Sequence, residues 1–267
     1  MINVSDKAQS NLYTQALPAR NIDNPRIRSI PSLRQNQSIN TLPRLVKYSL
    51  LVFIFVAGVG TIQAQSNLLS DTAALDWQLK RERRGIKVYI APVMGSKYRA
   101  IKSSVLINAS LVSIIGLIKD SASCSKWADM CKHSEVYQTV SDTENYVYTY
   151  NDLPFPIKDR DILAHVQWTI DPKNKVLSMH SSATTGLKEI NPKAVRLTQA
   201  IAKWQFTLQA DGSVLVENYA HVDPNGPIPA WISNRLMISS PYKTLLNMRR
   251  LAESGAYDNH LMSLPDF

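Results

Sequence analysis

The chain has 267 residues but only two cysteines and five histidines. No histidine pair stands at H-x-x-x-H spacing, and neither C-x-x-C nor H-E-x-x-H occurs. The common zinc arrangements are therefore excluded. No G-x-S-x-G turn presents a nucleophilic serine. Ser178, His180 and Ser181 lie close together in "SMHSSATTG", but neighbouring strand residues face opposite ways. After Gln65 there is neither an internal repeat nor a low-complexity linker, which favours a single domain. A dense basic patch is missing too. The formal charge of +9 is uneven, because residues 1–47 hold seven Lys/Arg against two Asp/Glu. The remainder is only mildly basic, so nucleic acid is not an expected partner. A weak attraction to anionic membrane surfaces is compatible with it.

No apolar run reaches the roughly 20 residues of a spanning helix. A shorter one stands in "PRLVKYSLLVFIFVAGVGTIQAQS". Arg44 and Lys47 precede the run Tyr48–Ile62, and Ile62-Gln63-Ala64 offers a small-residue cleavage site before Gln65. This is the layout of a secretory signal peptide over 44–64, with an uncleaved inner-membrane anchor through 48–62 as the alternative. Residues 1–43 are polar and lack periodicity, so they are expected to be disordered, with the true start of the chain near Leu42. Export to the bacterial periplasm then bears on Cys124 and Cys131. An even count in an oxidising compartment favours a disulfide over two free buried thiols. A metal site would need more ligands than nearby His133.

Periodicity assigns the mature chain to an α+β fold. Residues 67–79 have apolar residues at helical spacing, and residues 109–120 form a second helix with Ser110 as N-cap. "GIKVYIAPV" and "YRAIKSSVLIN" alternate as strands. "SEVYQTVS", "ENYVYTYND", "RDILAHVQWTID", "KVLSMHSSA", "AVRLTQAIAKWQFTLQ" and "SVLVENYAHVD" follow as six more. Their short connections predict antiparallel neighbours. Residues 228–254 form one long amphipathic helix, kinked at Pro241. It is the only element long enough to cover the sheet, and the space beneath it is a natural ligand cavity.

Aromatic residues are the candidate lining. Trp168 shares a face with Ile162, Ala164, Val166 and Ile170. Tyr146, Tyr148 and Tyr150 share another face, as do Trp204 and Phe206. Tyrosines mixed with small residues fill space poorly, which favours a cavity over a solid core. Trp127 in the cysteine loop joins this set, as do Ile232, Leu236 and Ser240 on the covering helix. His165, His180 and His221 fall on three strands and are better explained as surface or hydrogen-bonded residues than as ligands. Asp152, Asp159, Asp161 and Asp223 stand at strand ends, where carboxylates cap turns. Arg235, Lys243, Arg249 and Arg250 run along the last helix. They form either a solvated face or a docking surface for anionic headgroups.

Several pieces, in order, resemble one family. They are "W…RRGIKVYI" at 77–90, "IKD…CSKWADMC" at 118–131, "LPFPIKDRDIL" at 153–163, "AVRLTQAIAKWQF" at 194–206 and "YAHVDPNGPIPAWISNRL" at 219–236. Over residues 77–251 the chain resembles the START (steroidogenic-acute-regulatory-related lipid transfer) domain, of the exported bacterial type. The resemblance implies a helix-grip fold, a curved antiparallel sheet around a C-terminal helix that acts as lid. It also implies a monomer that binds or transfers one hydrophobic ligand, with transient membrane contact and without cofactor or covalent chemistry. The rival expectations are a cyclase or hydrolase on the same fold and a membrane-anchored interaction module. The family's Arg-Asp signature falls on Arg160 and Asp161. Sterol-binding relatives carry a cavity arginine six residues later, where this chain has Val166, so the usual charged sterol anchor is not expected. The prolines of "LPFPIKDRD" predict a corner at the sheet's edge, which Arg160 and Asp161 tie to nearby backbone or to the last helix.

Overall fold

The structure is a computed structural model that describes residues 74–258. The expected extension (1–43), the leader, residues 67–73 and the tail from 259, with His260, lie outside the described residues. Among the described residues no helix is long and apolar enough to cross a membrane.

Among the described residues ten strands form one sheet: β1 (Gln78–Arg83), β2 (Ile86–Ala91), β3 (Ala100–Ile107), β4 (Cys131–Ser141), β5 (Glu144–Asn151), β6 (Asp159–Asp171), β7 (Val176–Ala183), β8 (Ala194–Arg196), β9 (Gln199–Leu208) and β10 (Val214–Asp223). Their spatial order is β1-β2-β3-β10-β9-β7-β6-β5-β4. Every neighbouring pair along this path is antiparallel, as short connections require. The sheet is open, with β1 and β4 at its edges. Edge strand β4 carries three register shifts against β5, which bend it and blunt its unpaired side.

Three sequence expectations need correction here. The helix expected over 67–79 does not reach its end, because Gln78 and Leu79 already belong to β1. A hairpin takes those residues. Arg84 and Gly85, at φ of 54° and 70°, turn β1 directly into β2. The single strand expected over 194–209 is two, broken at Leu197 and Thr198. The first piece, β8, leaves the path and pairs parallel with β6. The proline corner joins β5 to β6, which are interior strands, so it stands at the strands' ends and not at the sheet's edge.

Helices cover the inner face. In α1 (Leu111–Lys119), Ser110 is the N-cap and accepts from the Ser113 N–H. Leu111, Ile114, Ile115 and Leu117 are buried. A short α2 (Cys124–Trp127) follows, closed by the Cys124–Cys131 disulfide. The last helix is continuous but not uniform: α3 (Ala230–Asn234), a π turn (Arg235–Ser239) and α4 (Ser240–Ala252). Pro241 explains the interruption. It has no N–H for the Met237 carbonyl, and its ring would strike that carbonyl in a regular helix. The preceding π turn widens the chain, with the Ser240 N–H reaching Arg235 O. Tyr242, Leu245, Met248 and Ala252 form the buried stripe of α4. They join Ile86, Val88, Val105, Ile107, Val214, Val216 and Phe206 from the sheet.

Candidate functional site

Strand alternation sorts the candidate residues onto two faces. On β6 the even-numbered residues from Arg160 to Trp168 face inward with the helices. Asp161, Leu163 and His165 face outward with their cross-strand partners Tyr150, Tyr148 and Tyr146. Tyr148 and Tyr150 are thus placed on the outer face, away from the space beneath the lid. His165, Ser182, Ile201 and His221 follow one another across adjacent strands on that same outer face. His180 pairs with outward Gln167, so none of these three histidines turns inward. His165 instead stacks on Tyr146 and meets Glu144 at 2.6 Å.

The outer face is not bare. Residues 184–193 fold back over it, tethered by the Thr184 N–H to Leu163 O. Asp161 is fully buried beneath them. The Arg196 Nε donates to Asp161 Oδ1 at 3.0 Å and Nη2 to Oδ2 at 2.9 Å. The Tyr148 hydroxyl adds a bond to Oδ2 at 3.1 Å. The hydrogen bond to Asp161 raises the Arg196 guanidinium above its ordinary value. Arg196 went unnoticed in the sequence, where one arginine inside an apolar strand was the available signal. Beside it, the Tyr150 hydroxyl donates to Asp159 Oδ2 at 2.6 Å, which pushes its own pKa up to about 12. Burial acts to raise Asp159, but this hydroxyl and the Leu153 N–H hold its carboxyl below the usual range.

The inward residues divide between solid core and open space. Trp168 stacks on Phe206, Phe206 on Trp204, and Trp204 meets Trp127 edge-on, each pair with centroids 6.3 Å apart. This aromatic ladder and Val166 belong to the packed core. Val166 has Asn145 and Ser181 as its cross-strand neighbours, both uncharged.

The cavity lies at the other end of the strands, with a volume of about 290 Å³. Its floor comes from Ile101 on β3, Val222 on β10, Arg160 on β6 and Asn151 on β5. Asp129 and Met130 close one side, and Leu153 of the proline corner another. Tyr98 and Arg99 reach in from the β2–β3 loop. Ser233, Leu236, Met237 and Ser240 form the roof, so the π turn sits over the space. Of the candidate residues, Arg160, Leu236 and Ser240 line this cavity. Ile232 is fully buried at the start of α3.

Arg160 is 6% exposed. Its Nε donates to Pro224 O at 3.1 Å and its Nη1 to Lys158 O. Burial pulls the guanidinium below its ordinary value, against the opposing charge of Asp159. Asp129 Oδ1 lies 3.6 Å from Lys243 Nζ on α4, while its Oδ2 is buried without a hydrogen-bond partner. The cysteine loop contained this acid in plain view, but its contact with the lid is tertiary. An apolar wall with a few convergent polar groups suits the binding of one amphiphilic molecule.

A sequence model of the START domain matches residues 61–251. An uncharacterised protein of Pseudomonas aeruginosa is 27% identical over 180 residues, covering 67% of this chain and 88% of that protein. A STAR-related lipid transfer protein from Xanthomonas axonopodis superposes with a TM-score of 0.61 at 27% identity, covering 66% of this chain and 98% of that one. Human StAR-related lipid transfer protein 5 shares the fold at a TM-score of 0.64 and 16% identity, with 72% and 94% covered.

Proposed function

The chain belongs to the START domain family, and we propose that it binds one hydrophobic molecule in the cavity beneath α3 and the π turn. The observation that carries this reading is the cavity itself, closed by apolar Leu236 and Met237 above and floored by Ile101 and Val222. Burying each methylene of a chain there contributes about 0.8 kcal/mol, so affinity needs no covalent step. Native mass spectrometry of the detergent-free protein tests it. A co-purified ligand is expected, and Val222→Phe, which fills the floor, should abolish that bound mass while circular dichroism stays unchanged. Retention of ligand by a folded Val222→Phe protein would sink the reading.

Exchange with a membrane extends the proposal. Met94, Phe155 and Trp231 are exposed on the three segments that frame the cavity: the β2–β3 loop, the proline corner and the start of α3. Lys97, Arg99, Lys158 and Arg235 are exposed on the same segments. Exposed apolar side chains among cations suit an anionic bilayer surface. On the lid helix, Lys243 meets Asp129, and the Arg249 Nη1 donates to Arg84 O at 2.9 Å. Those two therefore latch the lid, which leaves Arg235 and Arg250 for docking. Changing Met94, Phe155 and Trp231 together to serine should slow ligand transfer from anionic vesicles several-fold. Affinity in solution should be unaltered.

The site of action belongs to the same proposal. The leader pattern and the Cys124–Cys131 disulfide both support export to an oxidising compartment, the periplasm. A mature N-terminus at Gln65, read by mass spectrometry, is the expected product of cleavage.

A further inference from the structure

Arg160 is a buried cation without a carboxylate. Among the described residues it makes no ion pair; the hydrogen bonds it makes go to the neutral carbonyls of Pro224 and Lys158. The nearby Asp159 carboxylate is turned elsewhere, taken by the Tyr150 hydroxyl and the Leu153 N–H. A guanidinium has five N–H donors in a planar fork, so two bonds leave capacity unused. Asp159 supplies an opposing charge but bonds elsewhere, so the guanidinium fork itself is left without an anionic partner in contact. Asp161, the adjacent acid, cannot serve as one, because strand alternation sends it to the outer face and into the grip of Arg196.

Among the described residues the charged groups lining the cavity are Arg160, Arg99 and Asp129, with the Tyr98 phenol beside them. Asp129 is itself partly neutralised by Lys243 at 3.6 Å. It stands beyond the end of β4, two strands from Arg160, since Arg160 pairs with Asn151 and Asn151 with Cys131. The cavity lining thus carries two cations against one acid that is partly neutralised, with Asp159 behind Arg160. Space sets a limit as well. A volume near 290 Å³ suits one chain of modest length better than a two-chain lipid.

Resting on the cavity reading above, we infer that the ligand is a single-chain amphiphile with a singly charged carboxylate, seated on the Arg160 guanidinium. The fork geometry of arginine matches a carboxylate's two oxygens. The chain then lies along Ile101, Val222, Leu236 and Met237.

The test compares decanoate, decan-1-ol and decyl phosphate by calorimetry at pH 7.5, below the micellar concentrations of the two anions and the solubility limit of the alcohol. Decanoate should bind at least tenfold tighter than the alcohol, and tighter than the phosphate. In Arg160→Met, decanoate should fall to the affinity of the alcohol. Because Arg160 also holds two backbone carbonyls, a measurement on the unaltered protein accompanies this. The carbon-13 shift of bound [1-13C]decanoate should titrate below the free acid, as a carboxylate beside a guanidinium does. Burial without that cation moves the titration the other way. A bound acid titrating at or above the free value overturns the inference. So does equal affinity for acid and alcohol, which leaves the cavity reading standing. Tighter binding of the phosphate overturns the choice of carboxylate. Failure of all three to bind removes both readings.

Discussion

Arg160 and Asp161 are neighbours in sequence and strangers in space. One faces the cavity with unused donors, and the other is locked in a bidentate pair with Arg196. The second half of the Arg-Asp signature is therefore a clasp that pins β8 and the outer cover to β6. Removing one partner of such a pair leaves a buried charge alone. Arg196→Met should cost about 3–5 kcal/mol in urea unfolding, and pairing it with Asp161→Leu should recover part of that loss. His221 offers a residue-scale test in pH. Its Nε2 meets Ser96 Oγ at 3.0 Å, holding the β2–β3 loop, and its Nδ1 is buried without a partner. Burial lowers its pKa, as it does for His180, where Lys203 adds to the effect. A lowered value means that the unfolded chain binds protons more readily than the native one. The stability from neutral imidazole is complete above about 6.5, the ordinary histidine value, and is lost as pH falls toward the folded value. Unfolding free energy should thus decline from pH 7 to pH 5, with a shallower slope in His221→Gln.

At the scale of elements, the lid is a helix with a built-in irregularity. The π turn Arg235–Ser239 has no buried residue, whereas α4 beyond it buries four side chains. Grip and cover are thus separate parts of one helix. Leu245→Ala strikes the grip, is fully enclosed, and should cost about 2–5 kcal/mol. The cysteine loop also shapes the cavity wall, since it carries Asp129 and Met130. Its Asp129 N–H also donates to Thr244 Oγ1 on α4 at 3.0 Å. Replacing both cysteines by serine releases a short loop and should cost about 2–3 kcal/mol in the loop-entropy account. Ligand affinity should drop with it, because Asp129 and Met130 lose their fixed place. Unchanged affinity in the double-serine protein would show that the loop's position does not matter to the site.

For the whole molecule, some exposed apolar residues stand on the same segments that line the cavity. Met94, Phe155 and Trp231 come from segments more than 130 residues apart in sequence at their extremes, yet all three segments frame the same cavity. Local pattern revealed most of the strands, because alternation is a property of adjacent residues. It also revealed the cap at Ser110 and the cysteine pair. It missed β1, where charged residues in "QLKRER" carry no alternation and only the Arg84-Gly85 turn betrays a hairpin. It missed the break that makes β8, because a parallel pairing across the sheet leaves no mark in "AVRLTQ".

The sequence by itself determined the fold class, the disulfide partners, the site of the helix irregularity at Pro241 and the absence of a charge at Val166. Each of these follows from residues a few positions apart. Only the tertiary structure decided which face is which. The shared parity of Tyr146, Tyr148 and Tyr150 was legible, but their outward direction was not. That direction depends on a cover built from residues 184–196 and on a helix nearly a hundred residues further on. The same limit applies to the site. Arg160 could be named from its motif, but its lack of an acidic partner is a statement about every chain segment around it. No local pattern contains such a statement, because burial and pairing are set by what the rest of the chain places nearby.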